Sequence, residues 1–172
     1  IVPDRFSNGD ESNDVVAGMK EKKIDRSFDG GRHGGDIRGI INHLDYIKDM
    51  GFTAIWPTPL LENNMPAYSY HGYAITNHYK VDPRFGTLND YKELAIKGKQ
   101  KGIKLIFDEV LNHIGTGYWW MNDLPFKNWL NKPDSFEVTN HARTINQDVY
   151  ASNYDKDLMT KGWFDKSMPD MN

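Results

Sequence analysis

The feature that most constrains this chain is a helix–glycine–strand unit that occurs twice. In the first copy Ile37, Ile40, Ile41, Leu44 and Ile47 recur at helical spacing, which makes one helix face apolar and commits it to burial. Asp36 stands just ahead as an N-cap and Gly51 just behind as the C′ stop. Residues 52–56, Phe-Thr-Ala-Ile-Trp, then form a short apolar run of strand character that ends at Pro57. The second copy starts near Asn89-Asp90, puts Tyr91, Leu94 and Ala95 on one face, and stops at Gly102. Its strand is residues 103–107, ending in Asp108-Glu109.

The two glycine stops lie 51 residues apart, and a long polar or aromatic loop follows each strand. Repeated units with buried strands and polar residues at the strand ends imply a parallel α/β architecture. Long loops on that side favour a barrel, with two unrelated helices in an α+β domain as the alternative. A barrel of eight such units needs roughly 250 residues, whereas this chain has 172. It offers two clear strands and a third that would end at Ile1-Val2. From Leu111 to Asn172 no helix–strand alternation is visible. The chain opens Ile1-Val2-Pro3-Asp4 without an initiator Met or signal segment. It is therefore expected to be part of a larger α/β protein.

Composition removes several function classes. Acidic side chains number 24 against 21 basic ones, a net charge of −3, so the basic excess of a nucleic-acid binder is missing. With no Cys, disulfide frameworks, thiolate zinc sites and Cys nucleophiles are excluded. No apolar run reaches the roughly 18 residues of a membrane span. Neither a Gly-x-Ser-x-Gly elbow nor a phosphate-binding glycine loop is present. Lys97, Lys99, Lys101 and Lys104 straddle a helix end and read as a solvated face.

Three constellations remain. In Asn8-Gly9-Asp10-Glu11-Ser12-Asn13-Asp14, six of seven residues carry side-chain oxygen and the seventh is glycine. That suits a hard cation, which takes six to eight oxygen ligands, and equally a solvated Asx-turn loop. The EF-hand spacing does not fit. Tyr68-Ser69-Tyr70-His71-Gly72-Tyr73 follows the first strand. Its rings could stack on the apolar faces of sugars or simply plug the loop. Asp108-Glu109-Val110-Leu111-Asn112-His113 ends the second strand, where barrels place their sites. Neighbouring strand residues point to opposite faces, so Asp108 and Glu109 are not expected to form a carboxylate pair. Tyr118-Trp119-Trp120-Met121 is assigned to the core.

In this order the pieces resemble the alpha-amylase family of glycoside hydrolases. The resemblance rests on Pro3-Asp4-Arg5-Phe6 with its Asn/Asp loop, Gly51-Phe52-Thr53-Ala54-Ile55-Trp56, Tyr70-His71-Gly72-Tyr73 and Asp82-Pro83-Arg84-Phe85-Gly86-Thr87. It extends to Asp108-Glu109-Val110-Leu111-Asn112-His113 and to Met168-Pro169-Asp170-Met171-Asn172, which is similar to the neopullulanase and cyclomaltodextrinase signature.

The resemblance implies a partial (β/α)8 TIM barrel. Residues 1–108 would supply about its first three strands, and residues 109–172 most of the domain B insertion. It implies a structural calcium ion held by Asn8, Asp10, Asn13, Asp14, the carbonyl of Gly34, and Asp36. Tyr73, His71 and His113 would contact the sugar on the non-reducing side of the cut, with Asp108 orienting the floor of the site. Ala74 departs from the bulkier or acidic residue usual after that tyrosine, which leaves the neighbouring subsite open.

The family mechanism is retaining, with an Asp nucleophile and a Glu acid/base flanking the scissile bond. Both are expected downstream, so no catalytic residue is expected in this segment. The parent is expected to hydrolyse α-1,4 links, with α-1,6 links left open, in cyclodextrins, pullulan or malto-oligosaccharides. Its expected partners are an α-glucan oligosaccharide and a second copy in a homodimer. No nucleic acid or membrane span is expected, and export to a periplasm or the cell exterior is, with a cytoplasmic relative left open. The alternative is a non-catalytic amylase-like sugar-binding or transporter-accessory protein.

Overall fold

A computed structural model describes residues 1–172 and divides them into two compact units, Ile1–Glu109 and Val110–Asn172. No helix is long and apolar enough to cross a membrane.

The first unit is built on the repeated element. Helix α1 is Pro3–Phe6, with Pro at its first position, where a missing N–H costs nothing. Helix α2, Ile37–Asn42, starts on Asp36, whose side chain accepts from Gly39 N at 2.6 Å. The chain breaks at His43, whose Nδ1 donates to the Gly39 carbonyl at 2.8 Å, and resumes as α3, Leu44–Asp49. The expected single helix is thus two short ones. Its apolar stripe survives, because Ile37, Ile40, Ile41, Leu44 and Ile47 are all buried. Gly51 and Gly102 follow their helices at φ +84° and +76°, the left-handed region that only glycine enters without strain.

Strand β1, Ala54–Ile55, is followed by β2, Leu61–Glu62, and β3, Asn77–Val81, which pair antiparallel. Helix α4, Leu88–Gln100, comes next, opened by a capping box between Thr87 and Asp90. It leads into β4, Lys104–Leu105, which pairs parallel with β1 in the register Ala54↔Lys104 and Ile55↔Leu105. The two repeated units therefore deliver neighbouring parallel strands, and α2, α3 and α4 bury Leu94, Ile103 and Ile55 in one cluster.

Both strands are shorter than expected, two residues each, because each has a partner on one side only. The bonds Lys104 N to Thr53 O and Ile106 N to Ile55 O extend the pairing without a full ladder. Phe52 and Trp56 are each 59% exposed, so the expectation of fully buried strands is corrected. No strand forms at Ile1-Val2 either. Ile1 N donates to Trp56 O at 2.8 Å and Ile1 O accepts from Thr58 N at 2.9 Å, but the chain turns into α1 before a ladder can grow.

Beneath β2 and β3 lies a charged pair. Asp82 and Arg84 are almost wholly buried and joined by two bonds, Nε to Oδ1 at 2.9 Å and Nη2 to Oδ2 at 2.8 Å. A fork of this geometry is the strongest form of ion pair that side chains make.

The second unit is mostly irregular, its core formed by Val110, Ile114, Tyr118, Leu130, Trp163 and Met168. Its one α-helix, α5, is Asn153–Lys161, capped by Ser152 Oγ accepting from Asp155 N at 3.0 Å. Tyr118 stacks on Trp120 with ring centres 4.2 Å apart, yet Trp119 is 45% exposed and leaves the core to which it was assigned.

Candidate functional site

The aromatic loop after β2 is a tight device. Ser69–His71 form one 3-10 turn, bracketed by Tyr68 at φ 56° and Gly72 at φ 83°. The turn reverses the chain so that the His71 and Tyr73 rings stack, 5.9 Å apart and 28° from parallel. Tyr73 N donates to His71 Nδ1 at 2.9 Å, so in the neutral ring the proton sits on Nε2. Burial pushes the imidazole below its ordinary pKa, with the Glu21 charge opposing. A neutral ring with an Nε2 donor is what a sugar hydroxyl can use. The Tyr73 hydroxyl donates to Asp108 Oδ2 at 3.0 Å, and Trp56 Nε1 donates to the same oxygen at 3.0 Å. Beside them the Arg5 guanidinium lies 4.1 Å over the Tyr70 ring. Tyr73, His71 and Asp108, all singled out from the sequence, thus come together.

His113 belongs to the second unit. It is 7% exposed and stacks on Phe164 at 5.4 Å. An antiparallel bridge pairs it with Asp170, flanked by Ile114 N to Pro169 O at 3.1 Å and Met171 N to Asn112 O at 2.8 Å. Residues 112–114 and the terminal Met-Pro-Asp-Met-Asn run are therefore paired at their backbones. Asn112 and Asn131 donate to the two Asp170 oxygens at 3.1 and 2.9 Å, while burial raises that carboxyl above its ordinary pKa. His113, His141, Arg143, Phe164 and Asp170 line a cavity of about 330 Å³. Sequence reasoning missed it because its walls come from segments up to 58 residues apart, with no shared motif.

The Asn/Asp loop folds against the start of α2. Asp36 Oδ1 accepts from Gly9 N at 3.1 Å as well as Gly39 N, and its Oδ2 accepts from Asp10 N at 2.9 Å and Asn13 Nδ2 at 3.2 Å. Asn8 Nδ2 donates to Asp14 Oδ1 at 2.8 Å. Gly34, at φ +92°, lies so close that a Cβ there would sit 2.6 Å from Asp14 Oδ1 and 3.0 Å from Asn8 Nδ2. Asn8, Asn13, Asp14, Gly34 and Asp36 lie together around this loop. Asp10 is turned partly aside, its Oδ1 accepting from Ser12 N and Oγ.

This donor set fits a hard cation on two observations. Asn13 Oδ1 is buried without a hydrogen-bond partner, a cost that a cation would remove. Burial also raises the Asp14 carboxyl above its ordinary pKa, against the Asn8 bond and the Arg32 charge. No group of three or more His, Cys, Asp or Glu side chains in the chain, this loop included, is placed to hold a metal, so an ion here would depend on amide and carbonyl oxygens beside the carboxylates.

The model of the alpha amylase catalytic domain matches residues 1–170. Among curated relatives, a cyclomaltodextrinase from Thermoanaerobacter pseudethanolicus is 42% identical over 126 residues, 72% of this chain and 21% of the relative. Neopullulanase 2 from Thermoactinomyces vulgaris is 33% identical over 158 residues, 88% of this chain and 26% of the relative. Among solved structures, an Anoxybacillus alpha-amylase superposes with a TM-score of 0.77 at 37% identity, covering 100% of this chain and 33% of its own. The alpha-amylase of Geobacillus thermoleovorans complexed with acarbose gives 0.74 at 34% identity, covering 100% and 32%. The chain spans about a tenth to a quarter of the length of the curated relatives it matches. A family model matching nearly every residue, over the motifs whose geometry is described above, places this chain in the alpha-amylase catalytic domain family.

Proposed function

We propose that this chain is the N-terminal part of the catalytic domain of an α-glucan hydrolase that cleaves cyclodextrins, pullulan or malto-oligosaccharides. The observation that carries this reading is the stacked His71–Tyr73 pair with the tyrosine hydroxyl tied to Asp108 in the segment after β4. A flat, half-buried ring beside a neutral imidazole donor suits the apolar face and hydroxyl edge of a glucose unit. Relatives at 42% and 33% identity are a cyclomaltodextrinase and a neopullulanase, and a neighbouring amylase binds acarbose, which supports the substrate class.

On this reading residues 1–108 are the first units of a (β/α)8 barrel and residues 109–172 belong to domain B. The parallel β1–β4 pair, with Phe52, Trp56, Ile106 and Phe107 left exposed around it, supports two strands of a larger sheet. In the first unit Tyr73 and His71 bind the sugar. The retaining carboxylates are supplied by later strands. Calcium at Asn8, Asp10, Asn13, Asp14, Gly34 and Asp36 would supply charge compensation that fixes the loop after α1 to α2. The enzyme works in a periplasm or outside the cell.

The test is hydrolysis of β-cyclodextrin, pullulan and maltotriose by a protein carrying the complete barrel, with Tyr73→Ala beside it. Hydrolysis that falls about a hundredfold in Tyr73→Ala is expected from a lost stacking contact and misplaced sugar. Binding without hydrolysis would favour a non-catalytic sugar-binding relative instead.

A further inference from the structure

Glu21 sits in a stretch, Lys20-Glu21-Lys22-Lys23, that looks like a solvated charge run. Its contacts say otherwise. One carboxylate oxygen, Oε2, accepts from both Ser69 N at 2.8 Å and Ser69 Oγ at 2.6 Å. Ser69 is buried and opens the turn that carries His71 and Tyr73. From the other side Asn63 Nδ2 reaches Ser69 O at 3.4 Å. Both holders are gripped in turn by one guanidinium. Arg84 Nη1 donates to Glu21 O at 3.2 Å and Nη2 to Asn63 O at 2.7 Å, while Asp82 fixes Arg84 itself.

We propose that Glu21 is a positioning residue for the sugar-facing loop, transmitting the location of the buried Arg84–Asp82 pair through Ser69 to His71 and Tyr73. What the clamp supplies is rigidity. The turn starts from a left-handed Tyr68, a conformation that non-glycine residues hold only when neighbours enforce it. The Glu21 carboxylate supplies two charge-assisted bonds at that point, anchored to a core pair rather than to another loop. The proposal rests on the glucan-hydrolase reading and adds to it a residue outside the site.

Because both bonds end on one oxygen, Glu21→Gln can keep them and Glu21→Ala cannot. In a protein carrying the complete barrel, Glu21→Ala is expected to raise KM for maltotriose about tenfold with kcat changed less than about threefold. Backbone amides of residues 69–73 should exchange with deuterium faster. Glu21→Gln should keep KM within about twofold of wild type and leave exchange unchanged. Wild-type KM and exchange in Glu21→Ala, or equal damage in Glu21→Gln, overturns the proposal. If Glu21→Ala does not fold, Ser69→Ala removes one of the two bonds and should raise KM about threefold; no rise overturns it likewise. Failure of the glucan reading is a separate result. There the wild-type protein does not cleave maltotriose, and the exchange rates of residues 69–73 alone decide whether Glu21 positions the loop.

Discussion

The Tyr73 hydroxyl and the Asp108 carboxylate meet at 3.0 Å across 35 residues of sequence, joining the aromatic loop to the segment that follows β4. The bond has an electrostatic consequence. Burial raises the phenol above its ordinary pKa of 10.0, and the bond to Asp108 and that carboxylate's charge raise it further. Asp108→Asn keeps an acceptor but removes the charge, so the Tyr73 pKa should fall while staying above 10.0. Titration of ring-labelled tyrosine by NMR checks this, and an unmoved Tyr73 resonance would mean that Asp108 does not govern its acidity.

Arg84 should be the most sensitive position of the first unit. Its side chain satisfies Asp82 and two backbone carbonyls inside the core. Arg84→Met leaves the Asp82 charge buried and unpaired, for which the typical loss is about 3–5 kcal/mol. Urea unfolding should show that loss, and a double variant Asp82→Asn/Arg84→Met should recover part of it. Equal midpoints for single and double variants would rule out the buried charge as the cause.

Much of this could be seen in the residues, and the exceptions have physical reasons. Asp36, Gly51 and Gly102 are punctuation whose chemistry is local, so cap and stops stand where spacing predicts. The break at His43 was invisible because apolar periodicity runs through it unchanged. Helix α5 carries no buried residue and so presents no stripe to read. Glu21 and Asn63 were missed for a different reason. Their role lies in long-range bonds to Ser69 and Arg84, and nothing near them in sequence separates a clamp from a solvated charge. Motifs marked the ends of the network, Tyr73 and Arg84, but not the residues between.

Stability at low pH should report on the α2–α4 contact. Arg38 bonds to Glu93 through Nη1 at 3.0 Å and Nη2 at 2.6 Å, and to Asp90 at 2.8 Å. The Arg38 bond, and then the Lys97 bond, depress Glu93 from its ordinary 4.5 to about 2. Asp90 is depressed too, first by Thr87 and then by Arg38. A carboxyl whose folded pKa is depressed contributes stability that is fully present above its unfolded value. That contribution should fade as pH falls from about 4.5 towards about 2. Urea midpoints measured across this range should drop less steeply in Arg38→Met than in wild type. Parallel slopes would show that the pair adds nothing.

Calcium dependence separates the two readings of the Asn/Asp loop. If the loop is only a hydrogen-bonded turn, its stability is indifferent to calcium. If Asn13 Oδ1 and the Asp14 carboxylate are ligands, bound ion adds RT ln(1 + [Ca]/Kd), about 2.7 kcal/mol at a hundred times Kd. The Tm of a protein carrying the complete barrel should then rise with added calcium and fall in EGTA. Magnesium should substitute poorly, because it demands a tighter octahedral shell than a loop of amide and carbonyl oxygens provides. Asp14→Ala should remove the difference between calcium and EGTA while leaving the sugar-facing loop intact. A Tm that ignores calcium in wild type would show that Asp36 holds the loop as an N-cap alone, and that the Asn13 oxygen is satisfied by water.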